Sequence, residues 1–306
     1  MAQILTALSE TGTVRVLVCN STDMVQQAHE YHNTSPVVSA ALGRLLTAAS
    51  MMGSLLKNNG EMLSLQVKGD GPIGSITATA DNLGNVKGYA ANPHIDLPLK
   101  ENGKLDVSGA VGEGTLSVVR DNLTTGVPYI GKIPLVSGEI AEDITSYFAN
   151  SEQTPTVCAL GVLVDTDLSI LSAGGVLIQL MPGVEEETIS MLEKNITKFS
   201  SVSSLFKEKT LEEIAAMALE GIGESMHFIR NAAYKCDCSK EKCEQMLLAL
   251  NNESLKKIVH EDGKADIVCG FCNRSYHFDI NELLDILTKN SYNVNYFANL
   301  FNTIIS

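Results

Sequence analysis

Five of the seven cysteines fall in the last quarter of this chain. Four of them form two close pairs, Cys236-x-Cys238 in "YKCDCSKEKCEQ" and Cys269-x-x-Cys272 in "DIVCGFCNRSYHFD". Zinc takes four soft ligands in a tetrahedron at ~2.3 Å, and a short-spaced pair supplies two thiolates from one turn. A helical hairpin's worth of chain separates the pairs, so the spacing predicts one Zn2+ per chain in the reduced form, held by Cys236, Cys238, Cys269 and Cys272. Cys243, at the start of the following helix, can replace Cys236 to make a wider pair, or is a spare thiol. A His277 ligand reading fails because its pattern wants a further ligand at 282, where the chain has Glu. Cys19 and Cys158 lie in strand-like runs and read as buried hydrophobes.

Clustered thiols suit a reducing, cytoplasmic compartment, where they favour metal or redox chemistry over structural disulfides. "MAQILTALSE" lacks a basic segment before an apolar run, and "VVSAALGRLLTAASMMGSLL" is interrupted by Arg44, so neither a signal peptide nor a membrane span is expected. The net charge of −14 opposes a general phosphate-binding role. Residues 231–306 carry eight Lys/Arg against ten Asp/Glu, so the acidity sits mainly on the earlier part.

Along the chain, "TVRVLVC" alternates as a strand, "STDMVQQAHEYH" begins with N-cap residues, and "SPVVSAALGRLLTAASMMGSLLK" predicts a long buried helix with Pro36 in its first turn. From Glu61 to about Arg120, Gly- and Asn-punctuated apolar runs indicate antiparallel hairpins. "SGEIAEDITSYFANSEQ" predicts a helix with Glu139, Glu142 and Asp143 in its first turn. Two further strands close an α+β core domain, with packed helices on an antiparallel sheet, at residues 1–183. Residues 184–233 read as a helical linker. Its stripe of Leu211, Ile214, Ala215, Ala218, Leu219 and Ile222 is expected to pack on the core at rest. Residues 234–306 form a small zinc-binding redox-switch domain with a tail ending in a docked helix.

Two motifs mislead. "GDGPIG", Gly69 to Gly74, satisfies G-x-G-x-x-G, but "SITATA" after it is a strand where a dinucleotide site needs a helix, so it reads as a hairpin turn. "CGFC" leads into strand-like sequence, whereas a thioredoxin-type dithiol opens a helix. A zinc-ribbon nucleic-acid-binding protein is the alternative reading, carried by Lys235, Lys240, Lys242 and Arg274 and weakened by the charge balance. Zinc-bound thiolates are the oxidisable form of cysteine, and a disulfide across Cys-x-Cys needs a kink that breaks the metal knuckle. Oxidation would then eject the metal, melt the module and free the Met- and Leu-bearing linker stripe.

"CDCSKEK" followed by "EDGKADIVCGFCNRSYHFD" resembles the zinc switch of the redox-regulated heat-shock chaperone (holdase) family of about 33 kDa, including its downstream Tyr276 and Phe278. "ALGRLL", "GDGPIG", "VPYIGKIPLVSGEIAEDITSYFANSEQTP", "LGVLV" and "GGVLIQLMPG" resemble that family's core domain. The resemblance implies a cytoplasmic, ATP-independent chaperone without catalytic residues. It would be idle while reduced and zinc-bound, and active after oxidation as a homodimer that binds unfolded or partly folded client proteins, with no nucleic acid or membrane partner. It implies Cys236, Cys238, Cys269 and Cys272 as ligands and as redox-active disulfides, Cys236 with Cys238 and Cys269 with Cys272. Cys243 has no place in the motif.

Overall fold

The computed structural model describes residues 1–290, apart from 122, 124 and 125. The expected tail helix therefore lies outside the described residues. Chain contacts divide the molecule into two units, Met1–Lys235 and Cys236–Ser306.

The first unit opens with β1 (Ala2–Ser9) and β2 (Val14–Asn20), then α1 (Thr22–His32) and α2 (Pro36–Gly53). There follow β3 (Met62–Gly69), β4 (Ser75–Asp81), β5 (Val86–Ala90), α3 (Val107–Val111), β6 (Gly114–Arg120) and β7 (Tyr129–Pro134). Helix α4 (Ala141–Asn150) leads to β8 (Thr156–Val164) and β9 (Ile170–Leu180). Three short helices, α5 (Glu186–Ile196), α6 (Val202–Glu208) and α7 (Leu211–Ala218), precede β10 (Glu224–Ala232). Two antiparallel five-stranded sheets result, in the orders β10-β1-β2-β9-β8 and β5-β4-β3-β6-β7.

The near-continuous apolar run of β2 follows from a sheet buried on both faces. Alternate side chains point opposite ways, so Leu17 and Cys19 join the cluster around α2, while Val14, Val16 and Val18 face Ile214, Ala215 and Ala218. Helix α2 packs on both sheets, which is why it is apolar nearly all round. By length and composition it would also pass as a membrane span, yet 89% of it is buried inside this unit.

The linker stripe is packed as expected at rest: Leu211, Ile214, Ala215, Ala218 and Leu219 are buried, with Ile222 partly so. A capping box starts α7, the Thr210 hydroxyl accepting from Glu213 N at 3.3 Å while the Glu213 carboxylate accepts from Thr210 N at 2.8 Å. Helix α6 lies so close on the sheet that a Cβ at Gly161 would stand 2.5 Å from Ser203 N. The helical reading of 184–233 holds only to Ala218, because 224–232 is a strand paired antiparallel with β1, Ala2 opposite Ala232. "GDGPIG" is the β3–β4 turn, with Gly69 N donating to Gly74 O at 3.0 Å and Gly74 at φ +71°.

Glu139 lies ahead of α4 and not in its first turn. Ile140 takes a left-handed φ of 70°, held by the buried Asp143 carboxylate, which accepts from Ile140 N at 2.9 Å and Val136 N at 2.7 Å. Glu139 is thereby aimed at Arg44 Nη1 (2.5 Å) and Lys100 Nζ (2.6 Å). Burial alone would raise its pKa, but the two cations outweigh burial and lower it from 4.5 to about 2. Its contribution to stability is full above pH 4.5 and is lost as pH falls toward 2. Glu139→Gln should cost on the order of 2 kcal/mol in urea unfolding at pH 7, by leaving Arg44 without its carboxylate partner and Lys100 with Asp106 alone, 3.4 Å away. The gap between variant and wild type should close as pH drops through that window.

Candidate metal centre

The second unit contains α8 (Lys240–Leu248), α9 (Asn252–Lys257), β11 (Ala265–Val268), β12 (Ser275–Phe278) and α10, residues 280–290. Its core is Cys243, Leu247, Leu255, Val259, Phe278, Leu283 and Ile286. Two knuckles present the cysteines. In the first, Cys236 and Cys238 precede α8, whose start is capped by the Ser239 hydroxyl accepting from Lys242 N at 3.3 Å. In the second, the β11–β12 hairpin turns through Cys269 to Arg274. Asn273 N donates to Cys269 O and Cys269 N to Arg274 O, both at 2.9 Å. Asn273 adopts φ +54°, a conformation Asn tolerates better than most residues.

This arrangement brings together the four cysteines expected as ligands. The sulfurs of Cys236, Cys238, Cys269 and Cys272 lie within 4.8 Å of one another. The Cys236–Cys269 and Cys238–Cys272 separations are 3.6 and 3.4 Å. A tetrahedron with ~2.3 Å metal–sulfur bonds has edges of ~3.8 Å, so the donors are near that spacing and four soft sulfurs match zinc's preference. All seven cysteines are free thiols.

The alternatives of the sequence are separated here. Cys243 is buried in the module core and is not one of the clustered four. His277 is not in the cluster either; its Nδ1 meets Asp266 Oδ1 at 2.8 Å. Cys19 and Cys158 are buried in the first unit, where desolvation raises each thiol to about 12. Lys240 pairs with Glu282 at 2.5 Å and Lys242 with Asp237, so two of the four cations that carried the nucleic-acid alternative are answered by carboxylates.

A contact that spacing alone did not reveal is the Tyr276 hydroxyl donating to Cys238 Sγ at 3.1 Å. Tyr276 and Phe278 are two apart on β12 and so share a face. Phe278 enters the module core and Tyr276 reaches the sulfurs. Burial would raise the Cys238 thiol, but the hydrogen bond from Tyr276, followed by those of the neighbouring thiols, outweighs it and brings Cys238 to about 7. Burial instead pushes Cys236 up to about 12. The cluster thus stabilises at least one sulfur as the thiolate a metal requires.

Comparison with known proteins agrees with this geometry. A family model described as "Hsp33 protein" matches residues 2–279. A 33 kDa chaperonin of Clostridioides difficile is 46% identical over 288 residues, covering 94% of this chain and 98% of its own length. A 33 kDa chaperonin of Ruminiclostridium cellulolyticum is 46% identical over 281 residues, covering 91% and 95%. The crystal structure of the 33 kDa chaperonin, or heat shock protein 33 homolog, of Thermotoga maritima superimposes with a TM-score of 0.88 at 36% identity, over 94% of this chain and 98% of that one.

Proposed function

The chain belongs to the Hsp33 protein family, a family of chaperones, and from that premise we propose that it is a redox-regulated, ATP-independent holdase for unfolding proteins under oxidative stress. The observation that carries the proposal is the close packing of Cys236, Cys238, Cys269 and Cys272. In this reading residues 1–183 are the core, 184–233 the releasable linker and 234–306 the switch. The protein works in a thiol-reducing compartment such as the cytoplasm and as a homodimer when active.

When bound, zinc holds the four sulfurs as thiolates and ties the two knuckles together. Peroxide oxidises them two at a time. Two thiolates join in an S–S bond, and peroxide takes up their two electrons with two protons and leaves as two waters. Disulfides within each knuckle, Cys236 with Cys238 and Cys269 with Cys272, are supported by proximity along the chain, which persists after the module melts. Release of the linker is supported by its lengths. Helices α5, α6 and α7 have 11, 7 and 8 residues, below the ~12–15 at which isolated helices become even marginal, so they depend on packing. Three residues join β10 to Cys236, so melting of the second unit pulls on the linker through the chain itself.

The test is zinc content and suppression of client aggregation, measured on one preparation before and after peroxide. Zinc loss with gain of suppression is expected; an oxidised, zinc-free sample that leaves aggregation unchanged overturns the proposal. A finer check comes from Tyr276→Phe. Loss of its hydrogen bond to Cys238 should weaken zinc binding by about tenfold or more against a competing chelator.

A further inference from the structure

The first unit contains a cavity to which the redox reading gives no role. It lies near the end of α2, where residues of both sheets meet, with a volume of about 300 Å3, at the lower limit for small-molecule sites. Its apolar lining includes Met52, Leu63, Val118 and Phe148, while Arg15, Lys57 and Arg120 bring three positive charges against one carboxylate, Glu152. In a chain of net charge −14 this is a local reversal of sign.

The carboxylate is already engaged. Glu152 Oε1 accepts from the Tyr147 hydroxyl at 2.6 Å and stands 3.7 Å from Arg120, whose guanidinium also lies 5.2 Å from the centre of the Tyr129 ring. Arg15 has no ion-pair partner among the described residues. Its Nε and Nη2 donate to one neutral acceptor, Gln179 Oε1, at 3.2 and 2.6 Å. Partial burial lowers its pKa, as for a guanidinium half withdrawn from water without a compensating charge. An arginine so placed is a fork for a planar anion, and a charge-assisted hydrogen bond is roughly twice as strong as a neutral one.

We propose that this cavity binds a small amphipathic carboxylate of the medium-chain fatty-acid class, its acyl chain against the apolar lining and its carboxylate on Arg15, with Lys57 and Arg120 adding to the positive field. The site is separate from the cysteines and needs neither oxidation nor metal loss, so its failure would leave the chaperone reading untouched.

The experiment is calorimetric titration of the full-length, reduced, zinc-loaded protein with decanoate below its micelle concentration, with decan-1-ol as the uncharged control. The expected result is saturable one-site binding of decanoate, at least about tenfold tighter than the alcohol and weakened about tenfold or more in Arg15→Gln. Absence of saturable binding, equal affinity for the alcohol, or wild-type affinity in a folded Arg15→Gln protein would overturn it. Should circular dichroism show Arg15→Gln unfolded, Arg120→Gln provides the reading. A several-fold loss of affinity for decanoate alone supports the site, and unchanged affinity counts against it.

Discussion

Stripping the metal from the reduced protein with a chelator is expected to unfold residues 236–290 while β1–β9 keep their structure. Among the described residues the apolar core of the second unit is a cluster of seven buried side chains, one of them a cysteine, and its strands β11 and β12 have four residues each. Domains with so small a core rarely stand without a staple. Structural zinc contributes on the order of 10–16 kcal/mol of apparent binding energy, against ~5–15 kcal/mol for the whole stability of a typical domain. Amide exchange followed residue by residue should show protection vanishing from α8 to α10, persisting in β1–β9, and returning when zinc is restored. Retained protection in α8 and β12 without metal would remove the physical basis of the switch.

The second large effect is expected from Phe278→Ala. Phe278 is 2% exposed, packs with Leu255, Val259 and Leu283, and has Lys240 Nζ 5.1 Å from its ring centre. Truncating a buried phenylalanine costs ~3–5 kcal/mol. With metal binding coupled to folding of this unit, as proposed above, the loss should appear as a fall in apparent zinc affinity of roughly two to three and a half orders of magnitude, at ~1.4 kcal/mol per tenfold. The four sulfurs are untouched, so a chelator competition separates the two ideas. Wild-type zinc affinity in Phe278→Ala would mean that the knuckles bind metal without help from the core beneath them.

The sequence makes the cysteines legible because ligand spacing is a local property, and α2 legible because a long apolar segment with Pro36 at its start has few other solutions. Strand β10 is not legible. "ESMHFIRNA" carries Glu, His, Arg and Asn, residues that suit an exposed edge, and its partner β1 is more than two hundred residues away, so no short window reveals the pairing. Helix α4 begins two residues later than its acidic run suggests, because Ile140 takes a backbone conformation β-branched residues rarely adopt, fixed by the tertiary contacts of Asp143. Tyr276 is visible as a strand residue, but its bond to Cys238 depends on how the hairpin meets the first knuckle.

The pairing of β1 with β10 joins the first strand of the unit to its last, Ala2 opposite Ala232. During synthesis, at ~5–20 residues per second, the outer edge of β1 therefore waits roughly ten to forty seconds for its neighbour to emerge. For that interval the nascent chain presents an unpaired edge to the ribosome surface and to other nascent chains. Such an unpaired strand edge is a template for pairing with another chain, so β10 is the element that closes this edge of the sheet last.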